Sequence, residues 1–216
     1  MELSVSLQEH LALSASLHRR LCPRQVLGVR MARLACGLLE IDPALQHKKI
    51  FVYMENGQCV ADGVMVVTRA SPANQLMQLL PYGKMAGTFV RLDTGQAVRI
   101  REHPHCRETA FAFLPEASSA WKAHLDAYRF MPDELLLAWQ SVKLLIPVPK
   151  LRGKYSVVCD RCGDRIHEHT EIIQEGWVLC KACVYGAYYE INEPLSLHNE
   201  RQPGLVDSDG LRLNQS

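Results

Sequence analysis

The chain has 216 residues, 48% of them hydrophobic and 22% charged, which suits one core-forming domain with a small appended module. Its formal net charge is +1. Residues 1–144 carry 16 Lys+Arg against 13 Asp+Glu and residues 145–216 carry 8 against 10, so neither part offers the basic field of a general nucleic-acid binder. No run of about 18 apolar residues is present to span a membrane. Glu2, Gln8, Glu9 and His10 interrupt the apolar stretch that a secretory signal needs. The expected setting is therefore the cytoplasm. There the eight cysteines would stay reduced, and clustered thiols hold metal or do chemistry.

Leu7, Leu11, Leu13 and Leu17 give residues 4–20 a helical spacing that should end before Pro23. Pro23 suits the first turn of a second helix, along which Leu27, Met31, Leu34, Ala35 and Leu38 form one stripe until Asp42-Pro43. Residues 49–54 read as a buried strand closed by Asn56-Gly57. The stretch 59–68 is short and apolar enough for strand or helix. Residues 85–92 and 96–101 alternate around Asp93-Thr94-Gly95, a hairpin pattern. Residues 116–129 and 133–145 read as helices, the second led by Asp133 and Glu134. His103-Pro104-His105-Cys106 reads as a surface loop, and Cys36 and Cys106 as bystanders.

Two prolines and a glycine make 146–153 a short connector between a first domain (1–145) and a cysteine module (154–190); 191–216 is polar and aperiodic, a mobile tail. In the module, Cys159-x2-Cys162 and Cys180-x2-Cys183 are separated by seventeen residues, a four-cysteine zinc spacing. Gly163 frees the backbone after the first pair, and Glu175-Gly176 could join two strands that bring the second pair opposite. Iron in the same cage and two disulfides are the alternatives. Four thiolates saturate a tetrahedral ion, so the site would be structural, with His167 and His169 left in solvent.

A weaker pattern lies at the first helix junction. His18 and Cys22 are four residues apart, and Cys22 begins the second helix, where the dipole favours a thiolate. Such a pair can chelate a divalent ion or couple nucleophile to base; a junction histidine and a buried thiol explain it as well. Cys59, with Asp62 three residues on, reads by itself as core.

The segments LHRRLCPRQVLGVRMA, ENGQCVADGV, YGKMAGTFVRLDTGQAVRI and MPDELL, followed by a ribbon ending GAYY, resemble the FmdE family of formylmethanofuran dehydrogenase proteins over about residues 7–189. The resemblance implies an α+β domain with a mixed β-sheet packed by helices, plus a C-terminal zinc ribbon similar to the DksA/TraR type. It implies a helix over 59–68 and a second metal site on His18, Cys22 and Cys59, with Asp62 nearby. The chain departs from the family pattern at Arg20, where a second histidine is usual, and at Arg69-Ala70-Ser71, where Gly-Cys-Thr is common. Pro72-Ala73-Asn74-Gln75 replaces a Gly/Lys-rich loop. The implied role is an accessory or metal-handling factor linked to molybdenum/tungsten-type oxidoreductases, working as a homodimer. A metal- or thiol-dependent enzyme using His18, Cys22 and Cys59 is the second reading, and a ribbon that docks a protein partner is the third. The acidic balance of 145–216 favours protein over nucleic acid.

Overall fold

Ser6 starts the first helix. Its hydroxyl accepts the Glu9 N–H at 3.2 Å, and the Glu9 carboxylate accepts the Ser6 N–H at 2.8 Å, a reciprocal cap. Helix α1 (Leu7–Ser16) follows, then α2 (Pro23–Leu38), with Cys22 as its N-cap and Pro23 in its first turn. The computed structural model describes residues 2–17, 20–149, 153 and 155–191. The chain divides into two units, Met1–Leu151 and Arg152–Ser216. The expected mobile tail lies, beyond Ile191, outside the described residues, as do residues 150–152 of the expected connector.

The first unit is built on a five-stranded mixed sheet in the order β2-β1-β3-β4-β5. Its strands are β1 (Ile50–Met54), β2 (Met77–Leu79), β3 (Ala86–Arg91), β4 (Ala97–Glu102) and β5 (Leu137–Ser141). β1 and β2 run parallel; the other pairs are antiparallel. Both faces are covered, which is why β1 is buried throughout. Val52, Met54, Phe89 and Ile100 turn toward the helices and the main core. Phe51, Tyr53, Val90 and Ala97 turn the other way, under Val142, Leu144 and Val148. At the end of β1 the buried Glu55 accepts two bonds from the Arg99 guanidinium, at 2.6 and 2.9 Å.

The stretch 59–68 is helix α3 (Cys59–Thr68), as the resemblance implied. It packs on α2 at two glycines. A Cβ at Gly28 would overlap the Val60 carbonyl oxygen, and a Cβ at Gly63 would overlap that of Gln25. Only glycine lets the two backbones approach this closely. The buried face of α2 is also wider than a single stripe: Val26, Val29, Ala32 and Cys36 are buried with Leu27, Met31 and Ala35, while Leu38 is exposed.

Three expectations are corrected. The helix expected over 133–145 is one turn, α6 (Asp133–Leu136), after which the chain turns extended and pairs with β4. The acids at 133 and 134 start a helix, but the backbone partners offered by β4 end it. The histidine-rich segment leads into α4 (Cys106–Phe113), and Cys106 is buried at its start. Helix α5 (Ala120–Ala127) is shorter than 116–129 because Ser119 caps it, accepting the Lys122 N–H. The Arg30 guanidinium locks this region to α2. It donates to the carbonyls of Tyr128 (2.8 Å) and Met131 (2.6 Å) and to the Asp133 carboxylate (2.6 Å).

The second unit holds two hairpins, β6 (Ser156–Val158) with β7 (Arg165–His167) and β8 (Ile172–Gln174) with β9 (Trp177–Leu179), and a short helix α7 (Lys181–Tyr185). The β8–β9 turn is Glu175-Gly176, both left-handed (φ 52° and 82°), as a two-residue hairpin turn requires.

Candidate functional site

Two groups of thiols stand apart from the rest of the molecule. In the second unit, each cysteine pair sits where one hairpin ends in a tight turn. The Gly163 N–H, at φ 78°, closes the first turn on the Cys159 carbonyl at 3.0 Å. Cys180 caps α7 and accepts the Cys183 N–H at 3.4 Å; the Cys180 N–H in turn points at the Cys159 sulfur, 3.3 Å away. The sulfurs of Cys159, Cys162, Cys180 and Cys183 all lie within 4.8 Å of one another. Those of Cys162 and Cys180 are 3.8 Å apart. A tetrahedral ion with metal–sulfur bonds of about 2.3 Å needs sulfurs about 3.8 Å apart, so the set fits zinc.

The electrostatics point the same way. N–H groups of Cys162, Cys180 and Arg161 pull the Cys159 thiol down to about 6, while desolvation and the neighbouring sulfurs push Cys183 up to about 12. Thiols this close cannot all ionise without a cation among them. Among the described residues this is the only cluster of three or more His, Cys, Asp or Glu whose ligand atoms lie so close together. His169 stacks on Tyr155 at 3.8 Å between ring centroids and takes no place in the cage.

The first unit places Cys22 and Cys59 side by side. The glycine crossing brings the first turns of α2 and α3 together, and Cys22 and Cys59 line the same cavity. Desolvation raises the Cys59 thiol, and Cys22 and then Asp62 raise it further. Gln25 fixes Cys22 from below: its carbonyl oxygen accepts the Cys22 N–H at 3.0 Å, and its amide donates to the Ser14 carbonyl at 2.7 Å. His18, the third member of the expected site, lies outside the described residues.

The pair opens on a cavity of about 410 Å³ whose far wall comes from α4 and α5: Arg107, Trp121, His124 and Tyr128. His124 lies against Tyr128, stacked at 5.5 Å, and against Phe111, edge-on at 5.3 Å, and its buried Nε2 has no hydrogen-bond partner among the described residues. Arg20 lies over the Trp121 ring, 5.2 Å from its centroid. Sequence reasoning missed this wall, because no local pattern ties residues 107–128 to Cys22. Cys106 is no surface residue: its sulfur is 3.5 Å from the Tyr128 hydroxyl, and burial raises both groups. Cys36 is sealed in the core, its thiol pushed up to about 12 by burial.

A family profile described as "FmdE, Molybdenum formylmethanofuran dehydrogenase operon" matches residues 17–138, more than half of the chain. The chain belongs to the FmdE family. The matched span contains the Cys22–Cys59 pair and the cavity wall, while the four-cysteine unit lies beyond it. A crystal structure of a tungsten formylmethanofuran dehydrogenase FmdE-like protein from Syntrophus aciditrophicus superposes with a TM-score of 0.60 at 23% identity, covering 87% of this chain and 96% of that one. At that identity the likeness establishes the FmdE fold. A "probable S-adenosyl-L-methionine-binding protein" of Archaeoglobus fulgidus is 34% identical over 86 residues, 38% of this FmdE chain. The match spans only about a quarter (24%) of that relative's length. Among the described residues no helix is long and apolar enough to cross a membrane.

Proposed function

We propose that this FmdE protein is an accessory, metal-handling factor for molybdenum- or tungsten-type oxidoreductases, with one structural zinc held by Cys159, Cys162, Cys180 and Cys183. The observation that carries the metal half of this reading is the four-sulfur cluster with its 3.8 Å sulfur separation. Bound there, zinc would cross-link the two hairpins, and the N–H groups at Cys159 and Cys180 would offset the thiolate charge. The family match supports the oxidoreductase link.

In the same reading the protein works in the cytoplasm as a homodimer, and the ribbon offers a protein partner its exposed Ile173, Trp177 and Tyr185. Metal analysis of the purified full chain tests the first half. One zinc per chain that is lost in Cys159→Ser is expected; a Cys159→Ser, Cys183→Ser double variant with undiminished metal overturns the assignment. A second equivalent lost in Cys22→Ser would place an ion on the His18, Cys22 and Cys59 site. Cells lacking the protein test the accessory role: undiminished molybdenum- and tungsten-dependent oxidoreductase activity would sink it.

A further inference from the structure

The first unit holds a pair of thiols that the ribbon metal does not use. Cys22 and Cys59 are neighbours across two helix N-termini, and both line a cavity large enough for a small molecule. Neither is locked in the core as Cys36 and Cys106 are; each is half-buried at the cavity edge. The backbones beneath them cannot drift apart, because the Gly28–Gly63 crossing clamps α2 to α3 and Gln25 holds the Cys22 N–H. A disulfide between them would form by rotation about the two side chains over this fixed backbone.

The charge around the pair selects the reaction partner. Cys22 lies between Arg20 and Arg24. Arg20 rests on a neutral Trp121 ring, Arg24 bonds the neutral Gln58 amide, and among the described residues neither guanidinium has a carboxylate partner. Arg107 adds a third positive charge at the cavity, set against Glu102 at 3.5 Å, and Asp62 lies on the Cys59 side. The cavity edge beside Cys22 thus carries Arg24 and Arg107, while the carboxylate of Asp62 acts on Cys59.

We infer that Cys22 and Cys59, brought to one cavity by the α2–α3 glycine crossing and flanked by Arg20 and Arg24, form a thiol–disulfide exchange pair whose oxidant is a small anionic disulfide. Cys22, as thiolate, attacks one sulfur of the disulfide RSSR, and the departing RS⁻ takes up the proton that Cys22 gave to solvent. Cys59, losing its proton in turn, attacks the Cys22 sulfur of the mixed disulfide and releases the second RS⁻, which leaves as RSH. The sum is two protein thiols plus RSSR giving one protein disulfide plus two RSH, with two electrons and two protons passing to the small thiols. This goes beyond the metal-handling reading and does not depend on what the ribbon binds.

The test treats the zinc-loaded full chain with glutathione disulfide (anionic), hydroxyethyl disulfide (neutral) or cystamine (cationic), and maps cysteines by peptide mass spectrometry. A Cys22–Cys59 cross-link is expected, forming about tenfold faster with glutathione disulfide than with cystamine at low salt. The preference should vanish in about 1 M salt, where charges are screened within about 3 Å. Cys59→Ser should stop at a mixed disulfide on Cys22. A Cys59→Ala variant should stop at the same point, which excludes a folding artefact of one substitution. Arg20→Glu with Arg24→Glu should reverse the preference, and Arg20→Lys with Arg24→Lys should keep it. Free Cys22 and Cys59 after treatment that oxidises other thiols would overturn the pairing. Equal rates with all three disulfides would overturn the anionic partner. Ribbon metal content reads the other proposal separately, since it is unmoved by either result.

Discussion

The two thiol groups use the same chemical group in opposite surroundings. The ribbon cysteines sit on tight turns of a unit whose own core is little more than Ile166, Leu179 and a few valines. The Cys22–Cys59 pair sits on two long helices of a unit with a large core and a sheet covered on both faces. Four sulfurs ringed by N–H donors suit a closed cage with no room for substrate, and an ion held there would lend stability to a scaffold that lacks it. Two sulfurs at a cavity edge make an open site that borrows stability from its scaffold. Number of ligands and size of core thus separate a structural cluster from a reactive one.

The largest expected effect breaks this contrast at the ribbon. A strong chelator should unfold residues 155–189 while leaving the first unit intact, because zinc binding to such modules is worth on the order of 10 kcal/mol and little else holds them. Amide hydrogen exchange resolves the two units; protection lost first in β1, β3 and β4 would contradict the contrast.

At the other site the scaffold is the weak point. Gly28→Ala and Gly63→Ala each drive a methyl group into a carbonyl oxygen of the facing helix, and each should cost at least about 3 kcal/mol in urea unfolding. Both should also slow formation of the Cys22–Cys59 cross-link, and neither should change ribbon metal content. An unaltered midpoint would show that α2 and α3 can separate freely.

Arg30→Ala tests the contact that ties the cavity wall to α2. It leaves two carbonyls and the Asp133 carboxylate without their donor, at a cost of about 2 kcal/mol by the same measurement.

The smallest expected effect is a pH dependence confined to the first unit. Burial, reinforced by Arg33, which donates to the Nδ1 of His10 at 2.9 Å, lowers His10 to about 4; Glu9, Asp42 and Arg69 also act on it. Above about pH 6.5 His10 is neutral in both states and stability is full. As pH falls from there towards 4, the unfolded chain takes the proton first, so stability drops by about 2 kcal/mol. Thermal melts of the wild type and of His10→Gln should therefore converge with decreasing pH; parallel curves would remove His10 from the account.

Local signals in the sequence account for much of this arrangement. Asp93-Thr94-Gly95 and Glu175-Gly176 mark hairpins because positive φ leaves few other options, and the C-x2-C spacing locates the four-sulfur group that the structure brings together. The misses lie where a distant partner decides. Leu137–Ser141 become strand because β4 offers an unpaired edge, and Met77–Leu79 become strand because β1 does. The cavity opposite Cys22 escapes notice because Trp121 and His124 arrive from about a hundred residues downstream, positioned by Arg30 and the packing of α5. The approach of Cys22 to Cys59 depends in turn on two glycines whose role is visible only once the helices cross.

Val142, Leu144 and Val148 lie over Phe51 and Tyr53, and the Tyr53 hydroxyl donates to the Pro147 carbonyl at 3.2 Å. The stretch expected to be a short connector is, up to Val148, part of the lining of the sheet's second face. Proteolytic trimming that removes the four-cysteine unit but stops beyond residue 148 would leave a well-behaved product. A cut at Ser141 would strip two aromatic rings bare and turn the same domain into a sticky, aggregation-prone fragment. Where this chain can be severed is thus decided by the underside of its sheet, and the start of the apparent spacer belongs to the body it seemed to leave.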